Sequence, residues 1–546
     1  MPVIRVELER LKSLTGLGEE ELQDALFMLK CETEITEDGE IAVEVNPDRP
    51  DMFIGEGIAR AVKGLLGKEK GWKPPTLVDS GLEITVSRVP TRPFIAGIVA
   101  YDLNVDDTFL RELIQFQEKL HEGLGRDRRK LAIGLHDLDK LPSKDIRYRM
   151  SGLNTVFKPL GSPRAMSGAE ILEKTEQGVK YGSISLQGSL HPFLYSGDQV
   201  IAMPPVINSD ITRVEPGTRS VFIDVTGTDL ELVLRVADLI ASTLAEREGS
   251  RIASVKVHGI NGVERTPTME TRVVSLDVGQ ASKLVGIGLG VDECIELLRK
   301  ARFEAYPSTI EGAVEVKIPP FRLDIINYVD LVEEIAMMIG YDRLEPSTSK
   351  RIMKGSLLRE TLLSRKLRDL LVGLGFTETM QLTLTSPHLA KLLGGPRYVE
   401  VANPVQAEYS VLRTTITGSL LLVLARSQHR AKPVKIFEIG KVAYIEEGRV
   451  LEDLRLGIAY LDEEVSYEDV QAPIYAILRL LGVSYNVDEW PSPYLIQGRS
   501  SRIVVGGEPI GWMGEVQPRV LEAMGIEYPV AVAEVSIERL SSSLRT

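Results

Sequence analysis

At 546 residues the chain is too long for one hydrophobic core and is expected to divide into about three or four domains. Its 43% hydrophobic and 26% charged content is that of a soluble globular protein, and no apolar run approaches the length of a membrane span. A net charge of −14 excludes a general nucleic-acid-coating role but leaves room for a local basic face. Cys31 and Cys294 lie far apart and the six histidines are scattered, which rules out a cysteine zinc site and disfavours a histidine one. The N-terminus M-P-V-I-R-V-E-L-E-R has no signal-peptide layout, so a reducing, cytoplasmic setting is expected.

Residues 1–76 read as a small α/β unit. Val3 to Leu8 alternates as a strand, and Gly18-Glu-Glu-Glu21 opens a helix running to about Lys30. Thr33 to Val45 predicts two short strands around the turn Glu37-Asp38-Gly39. The loop Asn46-Pro-Asp-Arg-Pro-Asp51 precedes a helix over Ile54 to Leu66, whose start Pro50 and Asp51 suit. Trp72-Lys-Pro-Pro75 is a stiff linker and the first boundary.

Residues 77–268 read as a larger α/β domain. Ile95 to Tyr101 is an apolar strand, Phe109 to Gly123 an amphipathic helix, and Leu131 to Leu135 a strand ending in His136-Asp137-Leu-Asp139. Without partner histidines elsewhere, that H-D-x-D string reads as a turn or a local hydrogen-bond network rather than a metal hydrolase site. Arg126-Asp-Arg128-Arg129-Lys130 is the obvious basic cluster, suited either to solvated surface or to phosphate contact. Pro204 to Asp229 reads P-P-V-I-N-S-D-I-T-R-V-E-P-G-T-R-S-V-F-I-D-V-T-G-T-D. Within it Val221 to Val225 is a buried strand, Thr226-Gly227-Thr228 a turn, and Asp229 to Glu248 a helix. A strand end feeding a helix N-terminus can hold an anion or polar ligand, and Asp224 and Thr226 alternate toward one side. A helix cap at Thr226 or Thr228 explains the same residues equally well.

Residues 269–348 read as a compact, mainly helical module. Leu276 to Leu284 and Val291 to Arg302 are helices, Val314 to Ile318 is a strand, and Asp330 to Ile339 is a helix. Gly286-Ile-Gly-Leu-Gly290 falls between two helices with no preceding strand, so it is a turn rather than a phosphate loop. Asp330, Glu333 and Glu334 fall at i, i+3 and i+4 and share one helix side, and Asp324 in the extended lead-in can close the cluster. Four converging carboxylates repel unless neutralised; Mg²⁺ is the natural hard cation for such oxygen ligands. The competing reading is a capping box, with Asp330 as N-cap and Glu333 reaching back. Helices with a β-wing suggest a winged-helix-like fold, here without a basic recognition helix.

Residues 349–546 form the last unit. Leu357 to Leu374 is a long amphipathic helix ended by Gly375, and Phe376-Thr-Glu-Thr-Met-Gln-Leu-Thr-Leu begins a strand. Val399 to Ala402, Ile436 to Lys441 and Leu454 to Leu461 add strands, and Gly418 to Gln428 a helix.

Long motifs tie these parts together. R-L-D-I-x-x-x-x-D-L-V-E-E-I-A-x-x-x-G-Y-D, from Arg322 to Asp342, resembles the magnesium-site motif of the phenylalanine–tRNA ligase beta-subunit family, archaeal and eukaryotic type. N-P-D-R-P-D-M-F-x-x-E-G-I-A-R-A-V-x-G, F-Q-E-K-L-H, P-P-x-I-N-S, F-x-D-V-T-G-T-D, V-A-N-P-V-x-x-E-Y-S-V-L-R-T-T and G-W-M-G-E-V-x-P are similar to that family in the same order.

The resemblance implies a multidomain α+β chain. Its parts would be an N-terminal α/β unit (1–76), an α/β editing domain (77–268), a winged-helix-like Mg²⁺-binding module (269–348) and a class II synthetase-like antiparallel-sheet domain (349–546). It implies an α2β2 assembly in which the alpha subunit carries ATP, phenylalanine and the adenylate chemistry. This chain would contribute structure, contact with tRNA(Phe) and hydrolysis of wrongly attached tyrosine, with no membrane association. The implied editing pocket is lined by Asn208, Asp224 and Thr226, and the implied Mg²⁺ ligands are Asp324, Asp330, Glu333 and Glu334. Such a second site is needed because a phenylalanine pocket cannot strongly reject an isostere that only adds a hydroxyl. In Gln199-Val-Ile-Ala202 an alanine stands where the family carries serine, removing one polar contact. A working class II site needs arginines on the ATP phosphates. The candidate Val535-Ser-Ile-Glu538-Arg539 lacks a preceding glycine run, and Arg413 and Arg499 equally suit surface carboxylates, so this domain reads as non-catalytic. Two other classes stay open: a free-standing tRNA-error hydrolase and a non-enzymatic RNA-binding scaffold.

Overall fold

Burial of Ile4 and Val6, with Val3, Arg5 and Glu7 facing out, makes Val3–Glu7 a one-sided strand. The computed structural model describes residues 1–259, 262–348, 354–394 and 397–544. They fall into two units, Met1–Thr348 and Ser349–Thr546. In the first unit Val3–Glu7 pairs antiparallel with Glu40–Glu44, which pairs with Glu32–Ile35. Leu8 does not continue the strand. It opens the helix Leu8–Thr15, whose Leu8 and Leu11 are buried one turn apart and whose end is the left-handed Gly16. Two further helices, Glu19–Met28 and Gly55–Leu65, complete this layer.

Among the described residues a ten-stranded mixed sheet forms the middle of the unit. Arg251–Gly259, Phe94–Tyr101 and Val221–Gly227 run side by side up to the edge strand Leu131–Asp137, and Ile207–Asn208 lies at the other edge. Val221–Gly227 is buried along its whole length, as its apolar run predicts. It runs through Thr226 to Gly227, because Leu131–Asp137 and Phe94–Tyr101 pair with it on both sides; the expected turn at Thr226 is displaced. The helix that follows is Leu230–Leu244, capped by Asp229. The edge strand Leu131–Asp137 is covered rather than left open. Side chains of the helix Asp107–Glu122 take its backbone groups: Gln117 Nε2 donates to Ile133 O at 2.6 Å, and Ile133 N donates to His121 Nε2 at 2.8 Å.

The same helix is tied to the N-terminal layer through Glu112. Arg10 Nη1 donates to Glu112 Oε2 at 2.6 Å, Arg10 also bonds Glu56, and Gly55 N donates to Glu112 at 3.3 Å. Burial, opposed by Arg10 but reinforced by Glu56, pushes the Glu112 carboxyl up to about 7. A carboxyl whose folded pKa lies above its unfolded value contributes stability that is complete below about 4.5 and is lost as pH rises through about 7. Glu112→Gln is therefore expected to flatten the decline of thermal midpoint between pH 5 and 8. Midpoints of both proteins at three pH values check this; parallel curves would count against it.

Residues from 272 to 339 place three strands in the order Arg272–Asp277, Ala313–Ile318, Glu304–Pro307 beside the helices Val278–Val285, Val291–Lys300 and Tyr328–Ile339. Gly286, left-handed, ends the first helix, and Gly290 caps the second, so the glycine run is the turn its position predicts. The second unit contains a seven-stranded sheet, mostly antiparallel, that includes the long hairpin Val434–Glu446 and Arg449–Leu461. The helices Arg359–Gly373 and Glu468–Leu480 share one hydrophobic core on it, and Thr417–Ser427 belongs to another. The expected strand from Phe376 is reduced to Thr377–Glu378 and Leu384–Thr385, and Val399–Ala402 to a single bridge, Glu400 with Val411. Among the described residues no helix is long and apolar enough to cross a membrane.

Candidate functional site

Cross-strand register builds the site. In the pairing of Val221–Gly227 with Leu131–Asp137, Asp224 stands opposite Gly134, Phe222 opposite His136 and Thr226 opposite Ala132. Directly opposed residues project to the same face of a sheet. Gly134 is required there: a Cβ at this position would lie 2.2 Å from Asp224 Oδ1. His136 Nε2 is 2.9 Å from Asp224 Oδ1, its Nδ1 is 2.8 Å from Thr212 Oγ1, and its ring stacks on Phe222 at 5.7 Å. A carboxylate oxygen only accepts, so Nε2–H donates to Asp224 and Nδ1 accepts from the Thr212 hydroxyl.

Asp224 and Gly134 lie on the floor of a cavity of about 270 Å³. Leu110, Ile114 and Glu118 of the helix Asp107–Glu122 form one wall, and the segment Pro204 to Asn208 forms another. Asn208 Nδ2 donates to Leu135 O at 3.1 Å, holding this wall to the edge strand. Arg128 closes one side. It donates to Glu118 Oε1 at 2.7 Å and to the carbonyls of Pro205 and Val206 at 3.2 and 3.1 Å, and lies over the Tyr181 ring at 4.4 Å. Burial opposes the Glu118 charge, but the hydrogen bond from His121 and the Arg128 guanidinium pull its carboxyl down to about 2. The cavity thus offers apolar walls, an acceptor carboxylate at its floor and a fixed ion pair at its side.

Asn208 and Asp224 line this cavity. Thr226 does not line it: fully buried on the same sheet face two residues along, its hydroxyl donates to Ala132 O at 3.4 Å, the carbonyl of a lining residue. Ala202 is buried in the sheet opposite Asn208. Sequence reasoning placed no histidine beside Asp224, yet His136 is there. The H-D-L-D string divides between two jobs: His136 bonds Asp224, while Asp137 accepts from Asp139 N and from Thr218. The signal was the strand period that sets His136 two residues after Gly134 on one face. In the basic cluster, Arg128 turns inward; Arg126, Arg129 and Lys130 stay exposed.

The four carboxylates expected to meet on Mg²⁺ are distributed differently. Asn327 is the N-cap of Tyr328–Ile339, and Asp330 is the residue that reaches back, accepting from Ile326 N at 2.6 Å and Asn327 N at 2.8 Å. The expectation of Asp330 as N-cap with Glu333 reaching back is thereby corrected. Glu333 instead pairs with Lys30 at 2.6 Å. Asp324 and Glu334 meet on Arg322, which donates to Asp324 at 2.9 and 2.6 Å and to Glu334 at 2.6 Å. Among the described residues no three His, Cys, Asp or Glu side chains gather as a ligand set. As placed, Asp324, Asp330, Glu333 and Glu334 do not fit one Mg²⁺ ion, because a buried guanidinium already supplies the positive charge between two of them.

Arginines of the second unit are likewise committed. Arg413 donates to Glu438 at 2.6 Å with both side chains buried, so its carboxylate is not a surface one. Arg499 pairs with the largely buried Glu515, itself staying exposed. Arg539 donates to Pro509 O. Arg455 joins Asp453 and Glu534.

Comparison with known proteins fits this architecture. Residues 346–537 match the family described as the phenylalanyl tRNA synthetase beta chain CLM domain, and residues 274–341 match the tRNA synthetase B5 domain. The chain is 54% identical over 544 residues to the phenylalanine–tRNA ligase beta subunit of Aeropyrum pernix, with 99% of each chain covered. It is 40% identical to the beta subunits of Metallosphaera sedula and Saccharolobus solfataricus, again over 99% of each. The chain belongs to the phenylalanine–tRNA ligase beta-subunit family. A crystal structure of an N-terminal fragment of the phenylalanyl-tRNA synthetase beta subunit from Pyrococcus horikoshii superposes with a TM-score of 0.59 at 34% identity, covering 62% of this chain and 99% of that one. The cavity around Asp224 thus lies in a beta-subunit family member, on the N-terminal side of the segments matched by the two family domains.

Proposed function

We propose that this chain is the beta subunit of a phenylalanine–tRNA ligase. With its alpha subunit, in an α2β2 assembly, it supports ATP-dependent attachment of phenylalanine to tRNA(Phe). In the pocket at Asn208 and Asp224, with Thr226 buried beside it, it hydrolyses tyrosine wrongly attached to that tRNA. The proposed parts are an N-terminal α/β domain (1–76), the editing domain (77–268), a winged-helix-like module (269–348) and a class II synthetase-like domain (349–546). ATP and the Mg²⁺ that accompanies its phosphates belong to the alpha subunit in this reading, and the assembly works in the cytoplasm.

The observation that carries the editing assignment is the acceptor-only carboxylate of Asp224 on the floor of an apolar-walled cavity. A ring hydroxyl that donates to the second carboxylate oxygen gives it a partner, whereas a phenylalanine ring leaves that oxygen desolvated without one. Partnership is supported by apolar side chains that the second unit leaves uncovered: Leu358, Val372, Met380, Leu382 and Val405 are all more than half exposed. The commitment of Arg413, Arg455 and Arg539 to internal partners supports an adenylation site elsewhere.

The test is phenylalanine-dependent ATP–pyrophosphate exchange, on this chain alone and mixed with the matching alpha subunit, followed by deacylation of tyrosyl-tRNA(Phe) by the mixture. Exchange in the mixture only, with deacylation, is expected. Exchange by the chain alone would move the adenylation site into it, and an intact tyrosyl ester would remove the editing assignment.

A further inference from the structure

We infer that His136, supported by Gly134 and Thr212, is the positioning residue that fixes which oxygen of Asp224 a bound ring hydroxyl meets. This rests on the editing assignment above and concerns how that pocket distinguishes a hydroxylated aromatic ester from a plain one. Among the described residues only Oδ1 of Asp224 has a hydrogen-bond partner, and that partner is His136 Nε2 at 2.9 Å. The other oxygen, Oδ2, is left for the cavity that Asp224 lines.

His136 cannot turn toward a ligand itself. It is fully buried, absent from the cavity lining, stacked on Phe222, and has both ring nitrogens bonded. It is therefore not placed to act as general base, which must reach the proton it removes. Its effect passes through Asp224. The Thr212 hydroxyl fixes the imidazole so that Nε2 carries the hydrogen, and that hydrogen fixes the carboxylate plane. Gly134 keeps the space: a methyl group there would meet Asp224 Oδ1 at 2.2 Å and His136 Nε2 at 3.1 Å. Three residues from two places in the chain, the strand Leu131–Asp137 and Thr212, thus lock one torsion of one side chain. A free carboxylate would present either oxygen in several orientations; a locked one presents Oδ2 to a donor arriving from one direction. The ligand class is accordingly an aromatic amino-acid ester whose ring carries a hydroxyl donor.

The experiment uses the assembled enzyme and measures kcat/KM for deacylation of tyrosyl-tRNA(Phe) and of phenylalanyl-tRNA(Phe), with thermal midpoints as the fold control. His136→Phe keeps a stacking ring and removes the donor; it is expected to lower the tyrosyl value about tenfold or more, narrowing the gap to the phenylalanyl ester. His136→Gln can still donate to Asp224 and is expected to recover most of that loss. If His136→Phe does not fold, Thr212→Val should lower the tyrosyl value in the same direction and Thr212→Ser should restore it. In an Asp224→Asn background, His136→Phe is expected to add no further loss, because its action runs through the carboxylate. Wild-type deacylation by His136→Phe, or an undiminished loss on top of Asp224→Asn, would overturn the inference. An unmodified assembly that leaves the tyrosyl ester intact would instead remove the editing assignment and this inference with it.

Discussion

Replacing Arg322 by alanine will destabilise the Met1–Thr348 unit by about 3–5 kcal/mol, the range for removing one member of a buried ion pair. The reason is what the substitution leaves behind. The buried Glu334 and the partly buried Asp324 both lose their cation, and Arg322 is itself only 2% exposed. Burial works against the Arg322 charge, and Glu334 and Asp324 more than offset it, raising its pKa. Its guanidinium also lies 4.7 Å over the Phe303 ring. Nearby, Arg49 and Arg60 both donate to Asp51, and Arg60 stacks on Phe321 at 3.7 Å, so the N-terminal helix layer and the Arg322 turn belong to one charged network. Thermal or denaturant unfolding reads the loss. Because Arg322 stands where a cation was expected, added Mg²⁺ should leave the wild-type midpoint unchanged, and Asp330→Ala should cost about 1 kcal/mol through capping alone, equally with and without the ion. A Mg²⁺-dependent rise that vanishes in Asp330→Ala and Glu333→Ala would assign the ion to these carboxylates after all.

On the proposed editing assignment, Asp224→Asn will reduce clearance of tyrosine from tRNA(Phe) about ten- to a hundredfold, matching the loss of a hydrogen bond to a charged acceptor. The substitution is chosen to spare the fold. An asparagine oxygen can still accept from His136 Nε2, so the His136–Thr212 arrangement persists, whereas alanine would leave a buried histidine donor unpaired. What changes is the group facing the cavity, which becomes an amide that donates where a hydroxyl donor must be accepted. The assay is deacylation of tyrosyl-tRNA(Phe) by the assembly. Undiminished clearance would remove Asp224 from the proposed reading of the hydroxyl.

Much of the architecture is legible in the chain because it depends on short-range periodicity. The whole-length burial of Val221–Gly227, the amphipathic helix ending at Glu122 and the glycine turn between Val278–Val285 and Val291–Lys300 follow from local apolar spacing and turn chemistry. Local readings erred where a partner strand or a side chain from far away decided the outcome. Thr226 continues a strand because two neighbours pair with it, and Val399–Ala402 fails to form one because it makes only a single bridge. The carboxylates of the Asp330 helix look like a metal cluster in sequence because helical spacing shows which charges are adjacent, not which cations approach them. Lys30 reaches Glu333 from 303 positions away.

The sequence by itself therefore determined the family, the order of the parts and the candidates Asn208 and Asp224. Those follow from linear motifs and from the alternation of strand residues. Only the tertiary structure decided that His136 and Thr212 hold Asp224, that Thr226 is buried beside the cavity without lining it and that Arg322 takes the place between Asp324 and Glu334. Each of these depends on strand register or on contact between elements distant in the chain, and register is set by the packing of the whole sheet rather than by any one segment.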